Sequence, residues 1–178
     1  LYIGIYKLYQ KKWLKMFKVI NNFLEKTKID KIENILTEPS FPWFYLNSTA
    51  TLKDKSNFLF THILYENERV TSNFYNLIVT PVLKILNKTN ITRAKLNFYT
   101  KREKQIKTQF HIDRKDNHTV ALFSFNTNNG YTDFKNGKKI KSIKNKLVLF
   151  PGNLEHRSVN QTDKDYRINL NINFKDVI

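Results

Sequence analysis

Polar and apolar positions divide the chain into a front part with helical stripes and a back part of short alternating runs. Phe17 to Ile20 reads as a strand. Asn21 or Asn22 then offers a cap for a helix over 23–36, in which Phe23, Leu24, Ile29, Ile32 and Ile35 form one stripe. Pro39-Ser40-Phe41-Pro42 ends that helix, because proline cannot extend the hydrogen-bond ladder. Trp43-Phe44-Tyr45 starts another strand and residues 57–65 form a further one. Thr71 is placed to cap a helix over 72–87, which Pro81 should interrupt or kink.

From Ile91 onward eight β-like runs follow one another: about 91–100, 109–113, 118–126, 131–135, 138–143, 146–150, 155–159 and 166–174. Asn129-Gly130, Asn136-Gly137 and Pro151-Gly152-Asn153 punctuate them, and Asn136-Gly137 predicts a two-residue hairpin. The last run alternates strictly. Ile168, Leu170, Ile172 and Phe174 share one face, while Arg167, Asn169, Asn171 and Asn173 share the other. Its apolar face needs a cover, which the two helices provide; its polar face then points inward, where an arginine demands an anion.

The expected fold is mostly β with α: a double-stranded β-helix (jelly roll) with two or more N-terminal helices packed on the larger sheet. Residues 1–15 read as an N-terminal extension, with Met16, the only methionine, as an alternative start. Residues 16–178 read as one domain, with helices to about 90 and the roll over about 91–174. Neither a repeat nor a low-complexity linker argues for a second one.

Composition narrows the chemistry. A hydrophobic content of 40% and an aromatic content of 14% over 178 residues suit a folded core. The absence of cysteine excludes disulfides, thiolate metal sites and cysteine nucleophiles, so any metal is held by nitrogen and oxygen. The net charge of +16 would suit a polyanion partner. Its lysines are scattered, however, and accompany abundant Asn, Ile, Tyr and Phe, as in AT-rich coding, so the charge reads as compositional. No apolar run approaches the ~18 residues of a membrane span, and the early lysines from Lys7 onward argue against a secretory signal. A cytoplasmic setting is expected, that of a host cell if the chain is phage-encoded.

Four histidines occur, at 62, 111, 118 and 156. His111-Ile112-Asp113 puts an imidazole and a carboxylate on the same face of an extended segment. His156 follows in the next-to-last run. Together the three side chains can occupy one face of an octahedron and leave three positions open on iron(II). A His-x-Asp pair alone is weak, because surface strands show it by chance; Arg167 on the inward face of the last run strengthens it. Iron(II), Asp113, Arg167 and a doubly charged 2-oxo acid sum to a neutral buried site. His118 and His62 read as structural or pocket-lining, and Trp43, Phe44 and Tyr45 as core or an aromatic lip over the cleft.

These motifs resemble the iron(II)/2-oxoglutarate-dependent oxygenases of the prolyl-hydroxylase-like branch, particularly the small versions of marine phages and bacteria. His111-x-Asp113, His156 and Arg167 match that superfamily's metal and co-substrate motif. Asn129-Gly130-Tyr131-Thr132-Asp133-Phe134 is similar to its Gly-Gly-x-Thr-x-Phe strand, and Leu149-Phe150-Pro151 to its pre-histidine turn. The resemblance covers about residues 17–174. It implies metal ligation by His111, Asp113 and His156, and co-substrate binding by Arg167 with Tyr99 and Asn169. It also implies Fe(II), 2-oxoglutarate and O2 as reactants, ascorbate as an auxiliary reductant, and hydroxylation of a C–H bond with release of succinate.

Two departures matter. Ser124 stands where several prolyl hydroxylases carry a second tyrosine, and Asn173 stands where nucleic-acid demethylases of the superfamily carry a second arginine. The second departure favours a peptide, protein or small-molecule substrate over nucleic acid. The alternatives are a nucleic-acid-binding or nucleic-acid-modifying jelly roll, or a metal-dependent isomerase of the cupin type.

Overall fold

The computed structural model describes residues 17–48 and 58–175; residues 1–15, Met16 and the first residue of the 57–65 run lie outside them. In chain order the elements are β1 (Lys18–Ile20), α1 (Lys26–Thr37), β2 (Phe44–Leu46), β3 (Leu59–Glu66), β4 (Arg69–Val70) and α2 (Tyr75–Leu86). There follow β5 (Ile91–Thr100), β6 (Thr119–Ser124), β7 (Tyr131–Phe134), β8 (Lys139–Lys141), β9 (Lys146–Pro151), β10 (His156–Val159) and β11 (Tyr166–Phe174).

Two antiparallel sheets make the expected jelly roll. The larger runs β1-β9-β6-β11-β5-β3-β2, with β4 paired to β3, and the smaller runs β10-β7-β8. Both helices cover the outer face of the larger sheet. Ile29, Ile32 and Leu36 of α1, with Ile78, Val79 and Val82 of α2, share one core with Leu96, Phe123, Leu147, Ile168, Leu170 and Ile172. A second, smaller core fills part of the space inside the roll, where Phe17, Val120, Phe134, Val148, Phe150 and Leu154 meet. Strand β9 is buried along its whole length for this reason: Leu147 and Leu149 face the helices, while Val148 and Phe150 face inward. A continuous apolar run is what such a doubly covered strand requires.

Local expectations fail where long-range pairing takes over. Neither Asn21 nor Asn22 caps α1, which begins after Glu25 without a side-chain cap. Phe23 and Leu24 are bonded to Asn145 instead. The Leu24 N–H donates to Asn145 Oδ1 (2.8 Å), and Asn145 Nδ2 donates to the Leu24 carbonyl (2.7 Å). Thr71 does not cap α2; its hydroxyl donates to the Ile63 carbonyl, and the helix starts after Phe74. Pro81 leaves α2 unbroken, and the helix ends at left-handed Asn87 (φ 50°). Asn136-Gly137 closes a three-residue loop in place of the expected two-residue one, since Phe134 pairs with Lys138 and Gly137 takes φ 89°.

The expected strand over 109–113 contracts to one isolated bridge, His111 to His156, and a second bridge, Lys107 to Val159, lies just before it. Its apolar residues find no second layer. Ile112 is exposed, and Phe110 lies under the Arg157 guanidinium, 4.1 Å from its ring centre.

Gly152, in the turn before β10, supports the wall of the roll by close approach. Its N–H donates to the His118 carbonyl (2.7 Å), and a Cβ built on it would stand 1.9 Å from His118 Nε2. The imidazole is buried and tied through Nδ1 to the Asp116 carbonyl, so it cannot yield cheaply. Gly152→Ala is therefore expected to cost about 1–3 kcal/mol by overpacking, read as a fall in melting temperature of several degrees. Adding His118→Ala should recover most of that loss in the double variant.

Candidate metal and co-substrate site

The site is built across the opening of the roll, from both sheets. His111 and His156 face each other as a hydrogen-bonded antiparallel pair, with N–H to O distances of 3.0 and 2.9 Å. That register puts both imidazoles on one side, with ring centres 4.8 Å apart. Each Nδ1 lies by a main-chain carbonyl: Leu154 at 2.9 Å for His156, and Gln109 at 3.3 Å for His111. A carbonyl only accepts, so each Nδ1 carries the proton and each Nε2 presents a lone pair. Asp113 completes the group. One donor atom from each of the three residues lies within 4.8 Å of the other two.

Asp113 is held from both sides. Arg93 Nη2 donates to Oδ1 (3.1 Å), and Asn171 Nδ2 donates to Oδ2 (2.9 Å). Burial pushes this carboxyl up, but His156, Arg93 and the Asn171 amide outweigh it and hold the pKa at about 2. For His111, burial and the neighbouring His156 push the imidazole below its ordinary value of 6.5, so the neutral ligand form prevails. Two imidazoles, one carboxylate and no thiolate form the donor set that suits non-haem iron(II).

Both shifts make acid destabilising. Below about pH 6.5 the unfolded chain takes up a proton at His111 before the folded protein does, so stability falls as pH drops toward the lower folded value. Asp113 contributes fully above its unfolded value of 3.8 and loses its contribution as pH falls through about 2. Urea unfolding of metal-free protein at pH 7.5, 6.5 and 5.5 should show wild type losing more stability over the last interval than His111→Gln. The limit is about 1.4 kcal/mol per pH unit for one proton.

Farther along the cavity lies Arg167, on the inward face of β11 and only 3% exposed. Nη1 donates to Ser158 Oγ (2.6 Å) and to the Val159 carbonyl (3.2 Å), and Nη2 reaches Thr132 Oγ1 at 3.5 Å. The guanidinium carbon stands 5.0 Å from the Tyr99 ring centre. Its Nε has no partner, and no carboxylate pairs with it among the described residues. Gly130 makes room for it: a Cβ there would lie 3.1 Å from Arg167 Cδ and 2.9 Å from Asn128 Oδ1. This accounts physically for glycine before Tyr131-Thr132.

Every residue singled out from the sequence for this site lines one cavity: His111, Asp113, His156, Arg167, Tyr99 and Asn169. Asn169 lies between Arg167 and Asn171, its Oδ1 occupied by Asn97 Nδ2 (2.9 Å). The other histidines stand apart. His62 is fixed between the Pro42 carbonyl and Ser72 Oγ, both at 2.7 Å, and His118 packs on Gly152. Trp43 is tied to the Leu36 carbonyl, whereas Phe44 and Tyr45 are exposed. Ser124 is buried in register with Asn169, and Asn173 is buried opposite Arg93.

Arg93, Lys95 and Asn171 escaped the sequence reading of the site. Their signal was available in β5, where Arg93, Lys95, Asn97 and Tyr99 alternate with Ala94, Leu96 and Phe98. In register, Arg167 faces Tyr99, Asn169 faces Asn97, Asn171 faces Lys95 and Asn173 faces Arg93. These residues also correct the charge balance. Arg157 is paired with Asp133 (2.7 Å) and Arg93 with Asp113 (3.1 Å), whereas Lys95 is a cavity-lining cation missing from the count that had summed to zero. Burial pushes the Lys95 ammonium below its ordinary pKa.

No protein-family model and no curated protein matches the sequence. Solved structures do match the fold. A Pseudomonas putida prolyl-4-hydroxylase aligns at a TM-score of 0.63 and 12% identity, over 90% of this chain and 93% of that one. A Trichoplax adhaerens prolyl hydroxylase, in complex with a hypoxia inducible factor oxygen degradation domain peptide fragment, aligns at 0.66 and 15%, over 89% and 83%. The non-heme alpha ketoglutarate dependent carbocyclase SnoK from nogalamycin biosynthesis aligns at 0.61 and 8%, over 92% and 81%. The protein thus has a fold found among 2-oxoglutarate-dependent iron oxygenases. Since that fold carries both hydroxylation and ring closure, the reaction must be argued from the site.

Proposed function

We propose that this protein is a non-haem iron(II)- and 2-oxoglutarate-dependent dioxygenase, with residues 16–178 acting as one oxygenase domain. The observation that carries the reading is the pairing, in one cavity, of the His111–Asp113–His156 donor set with a buried arginine that lacks an anion. His111, Asp113 and His156 would hold the iron. Bound there with 2-oxoglutarate, it supplies dioxygen activation, coupling oxidative decarboxylation of the co-substrate to oxidation of a substrate C–H bond.

The chain's own residues bind and orient. Arg167 offers the distal carboxylate a guanidinium already desolvated and fixed by Ser158 and Val159, so little side-chain entropy remains to be lost on binding. Tyr99 and Asn169 flank that position on the cavity wall. Arg93 and Asn171 fix the Asp113 carboxylate in its ionised form, ready to ligate. Phe134 and Phe150 pack against His156, with ring centres 5.7 and 5.3 Å away, and keep water from that side of the imidazole.

Hydroxylation of a prolyl or other protein side chain is the finer reading, supported by the likeness in fold to prolyl hydroxylases. Purified protein reconstituted with Fe(II) should bind 2-oxoglutarate and release succinate with substrate. Failure to bind 2-oxoglutarate in the presence of metal would refute the reading. An isomerase of the cupin type would leave Arg167 without an anion, and 2-oxoglutarate would not affect it.

A further inference from the structure

We infer that Lys95 anchors the substrate that reacts at this centre, and that this substrate carries a carboxylate near the reacting carbon. The inference rests on the iron/2-oxoglutarate reading above and names the substrate class for it. Lys95 lines the cavity from β5, directly across from Asn171, whose amide holds Asp113. It therefore stands at the metal end of the cavity. Arg167 lies four residues away along β11, roughly 13 Å at the rise of an extended strand. A five-carbon 2-oxo diacid held by Arg167 at one end and the metal at the other uses both its carboxylates along that line. None is left for Lys95, which projects from the neighbouring strand.

The charges lead to the same place. Among the described residues no hydrogen bond or ion pair engages the Lys95 ammonium, and the nearby carboxylate of Asp113 is already shared by Arg93 and Asn171. With Arg93 paired to Asp113, Lys95 is left on the cavity wall, attracted by Asp113 and Glu66 but bonded to neither. A part-buried ammonium in that position calls for an anion. It is a single point charge, and no helix of the described residues opens its N-terminus into this cavity to add amide donors. That suits a monoanionic carboxylate better than a phosphate dianion.

The test uses the full chain loaded with Mn(II) and 2-oxoglutarate without dioxygen, with probe binding read from water-proton relaxation by the metal. The probes are N-acetyl-amino acids, N-acetyl-aspartyl and N-acetyl-glutamyl methylamides, and the neutral N-acetyl-amino acid methylamides. The first two sets distinguish a free acid from an acidic side chain. In wild type one carboxylate set should bind at least about tenfold more tightly than its neutral counterparts. Lys95→Met, and Lys95→Gln as a second variant, should reduce that preference to less than about twofold while leaving 2-oxoglutarate affinity within about threefold. Carboxylate probes that bind no better than neutral ones, or not at all, overturn the inference. So does a loss of 2-oxoglutarate affinity in Lys95→Met as large as that in Arg167→Met, which would make Lys95 a co-substrate residue. Failure of the parent reading looks different: wild type would not bind 2-oxoglutarate at all.

Discussion

Replacing His111 with alanine is expected to reduce iron-dependent succinate release to background and to weaken Fe(II) binding by more than about 100-fold, since partners one shell out already cost 10–100-fold in other metal sites. The expectation follows from how the site is assembled. His111 is positioned by main-chain bonds to His156, which alanine also makes, so the fold around the site should survive. The remaining His156 and Asp113 would leave one face of the ion open to water, with only one imidazole to hold it. Isothermal titration with Co(II) under anaerobic conditions measures the loss, and a thermal melt of the metal-free variant checks the fold. If metal affinity and succinate release both persist in His111→Ala, the metal centre lies elsewhere and the reading of this cavity fails.

Arg167→Met should separate the two halves of the site. Metal affinity is expected to stay within about threefold of wild type, because the hydrogen bonds of Arg167 go to Ser158, Val159 and Thr132 and not to His111, Asp113 or His156. Affinity for 2-oxoglutarate is expected to fall by about 100-fold or more, since removing one partner of a desolvated, hydrogen-bonded charge pair costs roughly 2–5 kcal/mol. Stability without ligand responds differently. The wild-type guanidinium is buried without a carboxylate and with an orphaned Nε, so methionine removes a desolvated charge while giving up the bonds to Ser158 and Val159. These contributions oppose each other, and the metal-free melting temperature should move by only a few degrees. The diagnostic reading is the rise in melting temperature on adding 2-oxoglutarate with Mn(II), present in wild type and absent in the variant. A variant that still gains stability from 2-oxoglutarate would show that another group binds the distal carboxylate.

Much of this architecture was legible in the amino-acid order because burial leaves a periodic trace. The alternation of β11 separated Ile168, Leu170, Ile172 and Phe174, which join the core under the helices, from Arg167, Asn169 and Asn171, which line the cavity, and its limits of 166–174 are those observed. Helical periodicity marked Ile29 and Ile32 of α1 but missed Leu36, and both helix starts were misplaced. The four residues of the candidate site, His111, Asp113, His156 and Arg167, were recognisable by type and order, and all four line one cavity. Periodicity reports only which face of a segment is covered. It does not say what lies opposite.

The rest depended on register between segments distant in sequence. His111 and His156 are brought side by side through a single isolated bridge between segments distant in sequence. Asn145 holds Leu24 from across the fold, and α1 starts later than expected without a side-chain cap. Arg93 and Asn171 meet on Asp113 because β5 and β11 pair, and that pairing sets Lys95 opposite Asn171 with no carboxylate of the described residues bonded to its ammonium. A one-residue shift of β5 against β11 would turn Arg93, Lys95 and Tyr99 toward the helices and leave the local pattern of β11 unchanged. The candidate donor set was therefore legible in residue types and their spacing. The charge balance of the cavity, and with it the case for an anionic substrate, came from cross-strand pairing, a property of two segments that neither carries alone.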